Sequence, residues 1–155
     1  MDLTNVIKVA MQEVGYIESK GNKTKYGEWF GLNGVPWCGI FVSWCYAMGG
    51  LPLPKIGFKR GFAGCQTAAE YFSAKKMIVK NPVAGDIVLY DWQSDGRYNH
   101  TGIFLKHNEN NTFAAIEGNT STINQSNGGS VMVRTRQYRN CIFVHVTLNV
   151  CAVVD

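Results

Sequence analysis

The residues of this chain whose types and order could carry out nucleophilic chemistry are Cys38, His100, Glu117 and Asn119. A cysteine attacks a carbonyl carbon as its thiolate, and it needs a base nearby and a third group that orients the base. Cys38 opens a strongly apolar stretch with the character of a helix. The positive end of a helix dipole lowers the pKa of a thiol and raises the thiolate fraction. We therefore predict that Cys38 is a nucleophile in the first turn of a helix.

A hairpin is predicted to bring the base and its orienting group together. Residues 100–105 and 112–117 form two short apolar runs on either side of a polar loop. Residues that face each other in an antiparallel pair have residue numbers with a constant sum. For a loop centred on the polar run, His100 faces Glu117, and the Cβ atoms of such a pair lie about 5 Å apart. Asn119 is expected on the same face, because side chains alternate along a strand.

The other cysteines and histidines are expected to take no part in the chemistry. Cys45 and Cys65 lie in apolar helical patterns, where a cysteine is usually a small core residue. His107 falls in a polar loop and His145 in an alternating strand. Five cysteines are an odd number, which excludes a full set of internal disulfides, and their spacing does not match structural zinc sites. We expect neither a metal nor another cofactor.

The elements that must position these residues follow from the hydrophobic pattern. The helical period predicts helices over residues 4–14, with Thr4 as N-cap, 38–48 and 65–76. The glycine-rich segment 15–34 is predicted to be a loop. Alternation and turn residues predict strands over residues 86–91, 100–105, 112–117, 131–136 and 141–148. Helices that precede strands favour the α+β class, with N-terminal helices packed on a mostly antiparallel sheet of about five strands.

Four blocks of sequence, residues 25–45, 85–90, 99–104 and 116–120, resemble the motifs of the CHAP domain family. They are similar to the nucleophile segment, the strand before the histidine, the histidine motif and the acidic motif of these cysteine, histidine-dependent amidohydrolases/peptidases. The motifs fall in the family order within residues 25–145. The resemblance implies a papain-like fold of the NlpC/P60-like superfamily and cleavage of an amide bond in peptidoglycan. It also implies that the four polar residues are catalytic.

Aromatic side chains flank the catalytic segments and are expected to line a groove for glycan or stem peptide, since such walls are common in ligand clefts. These residues are Tyr26, Trp29, Trp37, Trp92 and Tyr98. Core packing is an alternative explanation for Trp37. The backbone N–H of Cys38 is the first candidate to stabilise an oxyanion, and the Tyr26 phenol is a weaker second. Gly39 departs from the family pattern, in which alanine or another small residue is usual.

Length and composition predict one catalytic domain over residues 1–155, without a separate wall-binding domain. A chain of 155 residues fits a single domain, and 17% charged with 46% hydrophobic residues argues against disorder. The net charge of +4 suits an anionic wall polymer but is too weak to indicate nucleic acid. No segment approaches the ~20 apolar residues of a membrane span, and the first residues lack the pattern of a secretory signal. We expect a monomer made in the cytoplasm.

Several biological roles would use this chemistry. The leading hypothesis is a phage or prophage endolysin that cleaves peptidoglycan after release through a holin. The alternatives are a bacterial effector amidase delivered into a competitor, a domain of a larger secreted wall hydrolase, and a non-catalytic peptidoglycan-binding module. Both the N-acetylmuramoyl–L-alanine amide and a peptide bond of the stem or cross-bridge suit a cysteine and histidine site.

Overall fold

A computed structural model describes residues 2–148; Met1 and residues 149–155 of the predicted domain, including Cys151, lie outside the described residues. Within them the helices are α1 (Thr4–Gln12), α2 (Lys25–Phe30), α3 (Cys38–Met48) and α4 (Cys65–Ala74). The strands are β1 (Ile78–Val79), β2 (Ile87–Tyr90), β3 (His100–His107), β4 (Thr112–Thr120), β5 (Ser130–Gln137) and β6 (Cys141–Val144). They form one antiparallel sheet in the order β1-β6-β2-β3-β4-β5. The predicted α+β class is confirmed.

The segment 15–34 is not a loop throughout, because it contains the short helix α2. The Thr24 hydroxyl accepts a hydrogen bond from the Gly27 N–H at 2.9 Å and caps the start of the helix. Gly31 ends the helix with a left-handed φ of 87°, which glycine adopts without strain. A helix of six residues is too short to show a hydrophobic period, so the sequence pattern did not reveal it.

Other boundaries differ from the predictions by a few residues. The first helix ends at Gln12, and Thr4 is its first residue rather than its N-cap, with its N–H bonded to Asp2 Oδ1 at 2.8 Å. The helix predicted over 65–76 ends at Ala74. The sheet has six strands instead of about five, because β1 has two residues and shows no alternation in sequence. No helix within residues 2–148 is long and apolar enough to cross a membrane.

The helix that begins at Cys38 lies at the centre of the fold. α3 contacts α1 and α2 as well as strands β3 and β4, and most of its side chains are fully buried. Its close approach to β4 depends on Gly118, where an added Cβ would lie 2.7 Å from Phe41 Cβ and 2.8 Å from the Trp37 ring. The absence of a side chain at Gly118 therefore sets the distance between the start of α3 and the sheet.

Replacement of Gly118 by alanine tests this packing. We expect Gly118→Ala to lower the free energy of unfolding by about 1–3 kcal/mol, because the new methyl group overpacks the contact with Phe41 and Trp37. Urea denaturation followed by circular dichroism measures the change. Gly64→Ala is the control, since a Cβ there meets nothing closer than Thr67 Oγ1 at 3.5 Å. Equal stability of Gly118→Ala and the wild type would contradict this account.

Candidate active site

Cys38 is the first residue of α3, and only 4% of its surface is exposed. No side chain of the described residues caps the N-terminus of this helix. The N–H groups of its first turn are therefore not bonded to a capping side chain at the end of the helix that carries Cys38. Cys65 Sγ lies 3.9 Å from Cys38 Sγ. A hydrogen bond from Cys65 holds the pKa of the Cys38 thiol well below its ordinary value, against burial and with the help of His100 and the Gly39 N–H. The lowered pKa favours the thiolate form of Cys38.

His100 is the first residue of β3 and is fully buried. Its Nε2 lies 2.9 Å from Glu117 Oε1, whereas Nδ1 has no hydrogen-bond partner among the described residues. Because Nε2 is engaged, Nδ1 is the nitrogen available for proton exchange with Cys38. Burial alone would lower the pKa of His100, but interactions with Cys38 and Glu117 raise it to about 9. The imidazole is therefore protonated beside the thiolate.

Glu117 is buried with polar partners on both oxygens. Arg136 donates from Nε to Oε2 at 3.0 Å and from Nη2 to Oε1 at 2.6 Å. The Tyr90 hydroxyl donates to Oε2 at 2.8 Å, and His100 occupies Oε1. Burial alone would raise the pKa of Glu117, but Arg136 and His100 hold it below its ordinary value. Glu117 is thus an ionised group that fixes the orientation of the imidazole.

The predicted pairing of His100 directly opposite Glu117 is wrong by two residues. Ile103 lies opposite Ile116, so Gly102 is the residue that faces Glu117. The turn lies further along the chain than the symmetric loop assumed from sequence, since Lys106 faces Ala114 near the loop, and a bulge between Phe104 and Lys106 then shifts the register back by one residue. A shift of two keeps His100 and Glu117 on the same face, and His100 becomes a diagonal neighbour that the carboxylate still reaches. An added Cβ on Gly102 would lie 2.5 Å from Glu117 Cγ, so glycine makes room for this diagonal contact.

Asn119 is buried but does not join the base. Its φ of 56° lies in the left-handed region, at an irregularity of β4 that interrupts the alternation of side chains. Its Oδ1 accepts from the Gly129 N–H at 3.1 Å, and its Nδ2 donates to Asn127 at 3.0 Å. The side chain thus closes the loop between β4 and β5. No hydrogen bond joins Asn119 to His100 among the described residues, and the catalytic role expected for Asn119 stays a prediction.

Tyr26 and Trp37 do not line a groove, since both side chains are fully buried. The Tyr26 hydroxyl donates to Glu13 at 3.0 Å, and Trp37 Nε1 donates to Glu18 at 3.1 Å. Their rings stack on each other with centroids 5.5 Å apart. The predictions of a substrate contact at both positions and of a Tyr26 oxyanion donor are wrong, because both side chains are buried and their polar atoms donate hydrogen bonds to Glu13 and Glu18.

Trp29, Trp92 and Tyr98 are half-buried and keep surface that a ligand could contact. The Trp92 ring lies 5.3 Å from the His100 ring and 4.7 Å from the Arg136 guanidinium, so it covers the histidine. Tyr98 borders an open cavity of about 490 Å³ between α4 and the sheet. These positions remain compatible with the predicted groove.

Three residues that contact Cys38 or Glu117 are not predicted from the sequence. They are Arg136, Tyr90 and Cys65. The spacing of two between Arg134 and Arg136 puts both side chains on one face of a strand, but the local sequence does not show whether that face is buried. Nothing in the local sequence distinguishes Cys65 from a core cysteine.

The structure also explains the presence of glycine at position 39, directly after Cys38. An added Cβ at this position would lie 2.8 Å from the Phe62 ring and 3.0 Å from the Ala63 carbonyl oxygen. The buried ring of Phe62 fills the space that a side chain at residue 39 would need. Glycine replaces the usual alanine at position 39 because Phe62 and Ala63, in the segment before α4, leave no space for a methyl group.

Comparison with known families agrees with this geometry. The CHAP domain model matches residues 30–119, more than half of the chain and the whole interval from Cys38 to Asn119. The chain belongs to the CHAP domain family. The resemblance drawn from the motifs and the papain-like fold are thus confirmed, and this CHAP domain is a cysteine, histidine-dependent amidohydrolase/peptidase that acts on peptidoglycan. No curated protein sequence matches the chain.

The electrostatic link between Cys38 and His100 in the CHAP domain can be measured without substrate. We expect the ring protons of His100 to titrate near pH 9 in the wild type and at lower pH in Cys38→Ala, because the thiolate no longer stabilises the imidazolium. A pH titration of histidine NMR signals measures both midpoints. Cys141→Ala, which removes a half-buried thiol on β6, is the control. An unchanged midpoint in Cys38→Ala would show that the two groups do not interact.

Removal of the Arg136 guanidinium tests the burial of Glu117. We expect Arg136→Gln to lower the free energy of unfolding at pH 7 by about 3–5 kcal/mol, as found when a buried ion loses its partner. Because pairing lowers the pKa of Glu117, its contribution is present above the unfolded value of about 4.3 and is lost as the pH falls through the folded value. Urea denaturation at neutral and acid pH measures the free energy of unfolding of both proteins. The difference between the wild type and Arg136→Gln should be smaller at acid pH.

The matched control is Arg134→Gln, on the same strand. Arg134 donates to the Ser121 carbonyl oxygen at 2.7 Å and has no hydrogen bond to Glu117 among the described residues. If Arg134→Gln lost as much stability as Arg136→Gln, with the same pH dependence, the role assigned to the Arg136 guanidinium would be contradicted.

Proposed function

We propose that Cys38, His100 and Glu117 form the catalytic unit with which this enzyme cleaves an amide bond of peptidoglycan. The observation that carries the proposal is the buried hydrogen bond of 2.9 Å between His100 Nε2 and Glu117. It leaves Nδ1 without another partner among the described residues, and Cys38 raises the pKa of the same imidazole. A non-catalytic binding module would need neither an ionised thiol nor a protonated imidazole that a buried carboxylate holds in place.

The reaction is acyl transfer in two steps. Cys38 Sγ attacks the amide carbonyl carbon, and the backbone N–H of Cys38 donates to the oxyanion that forms. The imidazolium of His100 gives its Nδ1 proton to the leaving nitrogen as the C–N bond breaks, which releases an amine and leaves a thioester. The neutral imidazole then takes a proton from water, and the hydroxide equivalent displaces Cys38 and yields a carboxylic acid.

Glu117 stabilises the imidazolium during each cycle and stays ionised because of Arg136. Asn119 contributes by fixing the loop next to Glu117, through its hydrogen bonds to Asn127 and Gly129. Trp29, Trp92 and Tyr98 are the side chains that we propose for the substrate groove. No step requires a metal or an organic cofactor.

We also propose that the chain acts as a single catalytic domain and as a monomer. The family match ends at residue 119, yet β5 and β6 belong to the same sheet as β2, β3 and β4. Helix α1, which precedes the match, contacts α3. Segments on both sides of the matched region therefore share its core.

Among the biological roles, we propose a phage or prophage endolysin that reaches the wall through a holin. The support is the family, together with a net charge of +4 that favours approach to an anionic wall. Its substrate bond is either the N-acetylmuramoyl–L-alanine amide or a peptide bond in the stem or cross-bridge.

Digestion of purified peptidoglycan by the wild type and by Cys38→Ala tests the reaction. We expect the wild type to release fragments and the variant to release none, because the variant has no nucleophile. Mass spectrometry identifies the bond: intact stem peptides with free lactyl-muramic ends indicate an amidase, and cut stems or cross-links indicate an endopeptidase. Equal release by the two proteins would overturn the catalytic role of Cys38.

Expression in a bacterium whose wall is cleaved tests the endolysin role. We expect the chain to lyse cells when it is produced with a holin and to leave them intact without one, while Cys38→Ala with the holin causes no comparable lysis. Culture turbidity measures the effect. Lysis by the chain alone would contradict the dependence on a holin.

A further inference from the structure

A second thiol lies beside the nucleophile in a position that the catalytic steps above do not use. Cys65 Sγ is 3.9 Å from Cys38 Sγ, and 6% of Cys65 is exposed. Cys65 is the first residue of α4, as Cys38 is of α3, and the two helices have 10 and 11 residues. The N-termini of two helices therefore meet at the pair of sulfur atoms, and both helix dipoles favour negative charge there.

Only one of the two thiols can carry that charge. Two thiolates in contact within a buried site would repel each other, so the first ionisation makes the second unfavourable. His100 contributes a positive charge at Cys38, whereas the pKa of Cys65 is affected by Cys38 and by burial. The pKa of Cys65 is raised well above its ordinary value, first by its hydrogen bond to Cys38 and then by burial. The charge thus resides on Cys38, and the proton remains on Cys65.

We propose that Cys65 is a further active-site residue, whose S–H donates a hydrogen bond to the Cys38 thiolate and keeps the nucleophile ionised before it attacks. This inference rests on the proposed role of Cys38 as the nucleophile. The titratable side chains that act on Cys38 are His100 from β3 and Cys65 from α4. Glu117 and Arg136 act through His100.

The two neighbours have different roles. His100 gives its proton to the leaving group and recovers a proton from water before Cys38 is released, so it acts on the thiolate as a charge and on the substrate as an acid. Cys65 keeps its proton in every step and supplies a donor that does not depend on the state of His100. Loss of this donor should therefore raise the pH at which Cys38 ionises and weaken activity most on the acid side.

The experiment compares Cys65→Ala and Cys65→Ser with the wild type under a phosphine reductant, which keeps both thiols reduced. The first measurement is the pH dependence of Cys38 alkylation by iodoacetamide, read on the Cys38 peptide by mass spectrometry. The second is kcat/KM for solubilised peptidoglycan over the same pH range. Because each protein is compared by its midpoint, the low exposure of Cys38 does not affect the comparison.

In Cys65→Ala we expect the midpoint of Cys38 alkylation to move to higher pH. Alkylation below the midpoint should slow about tenfold for each pH unit of that movement, and the acid limb of kcat/KM should move with it. Cys65→Ser keeps a donor of similar size, so its midpoint should lie between those of the wild type and Cys65→Ala. Cys141→Ala removes a thiol from β6 and should leave the midpoint unchanged.

An alkylation midpoint in Cys65→Ala equal to that of the wild type would overturn the proposal. If Cys65→Ala fails to fold, as judged by thermal unfolding, Cys65→Val replaces it and carries the same expectation, since it fills the site without a donor. A midpoint that moves as expected in a protein that cleaves no peptidoglycan would refute the proposed function but support the thiol contact. Cleavage by the wild type with an unmoved midpoint would refute only the role of Cys65.

Discussion

The buried carboxylate of Glu117 is the group on which the rest of the site depends. Transfer of one such ion from water to a protein interior costs several kcal/mol unless partners compensate for the lost hydration. Arg136 binds both of its oxygens, and Tyr90 and His100 each bind one. The need for these partners places Arg136, and with it strand β5, next to the site. The ionised carboxylate in turn orients the imidazole and stabilises its positive charge.

Charges alternate from one end of the site to the other. The Cys38 thiolate is followed by the His100 imidazolium, the Glu117 carboxylate and the Arg136 guanidinium. Attraction between neighbours is strong because the surroundings exclude water and screen charge poorly. The thiolate end receives additional support from Cys65 and from the start of α3 and α4. The opposite directions of the pKa shifts at Cys38 and His100 follow from this alternation.

Absent side chains matter as much as present ones. Gly118 lets the nucleophile helix approach β4, Gly102 leaves space for the Glu117 carboxylate to reach its diagonal neighbour, and Gly39 accommodates Phe62. None of these three glycines has the positive φ that would demand glycine for backbone reasons. Their role is steric, and it becomes visible only when the neighbouring elements are in place.

The hydrophobic pattern was sufficient to predict the class of fold, the start of a helix at Cys38 and the common face of His100 and Glu117. These follow from local periods, and the common face survives a register shift of two because side chains repeat every second residue. Only the packed structure shows where the hairpin turns, where β3 bulges, and that Arg136 and Cys65 contact Glu117 and Cys38. Those contacts join segments far apart in the chain, and their geometry depends on helix and strand packing that no local pattern encodes.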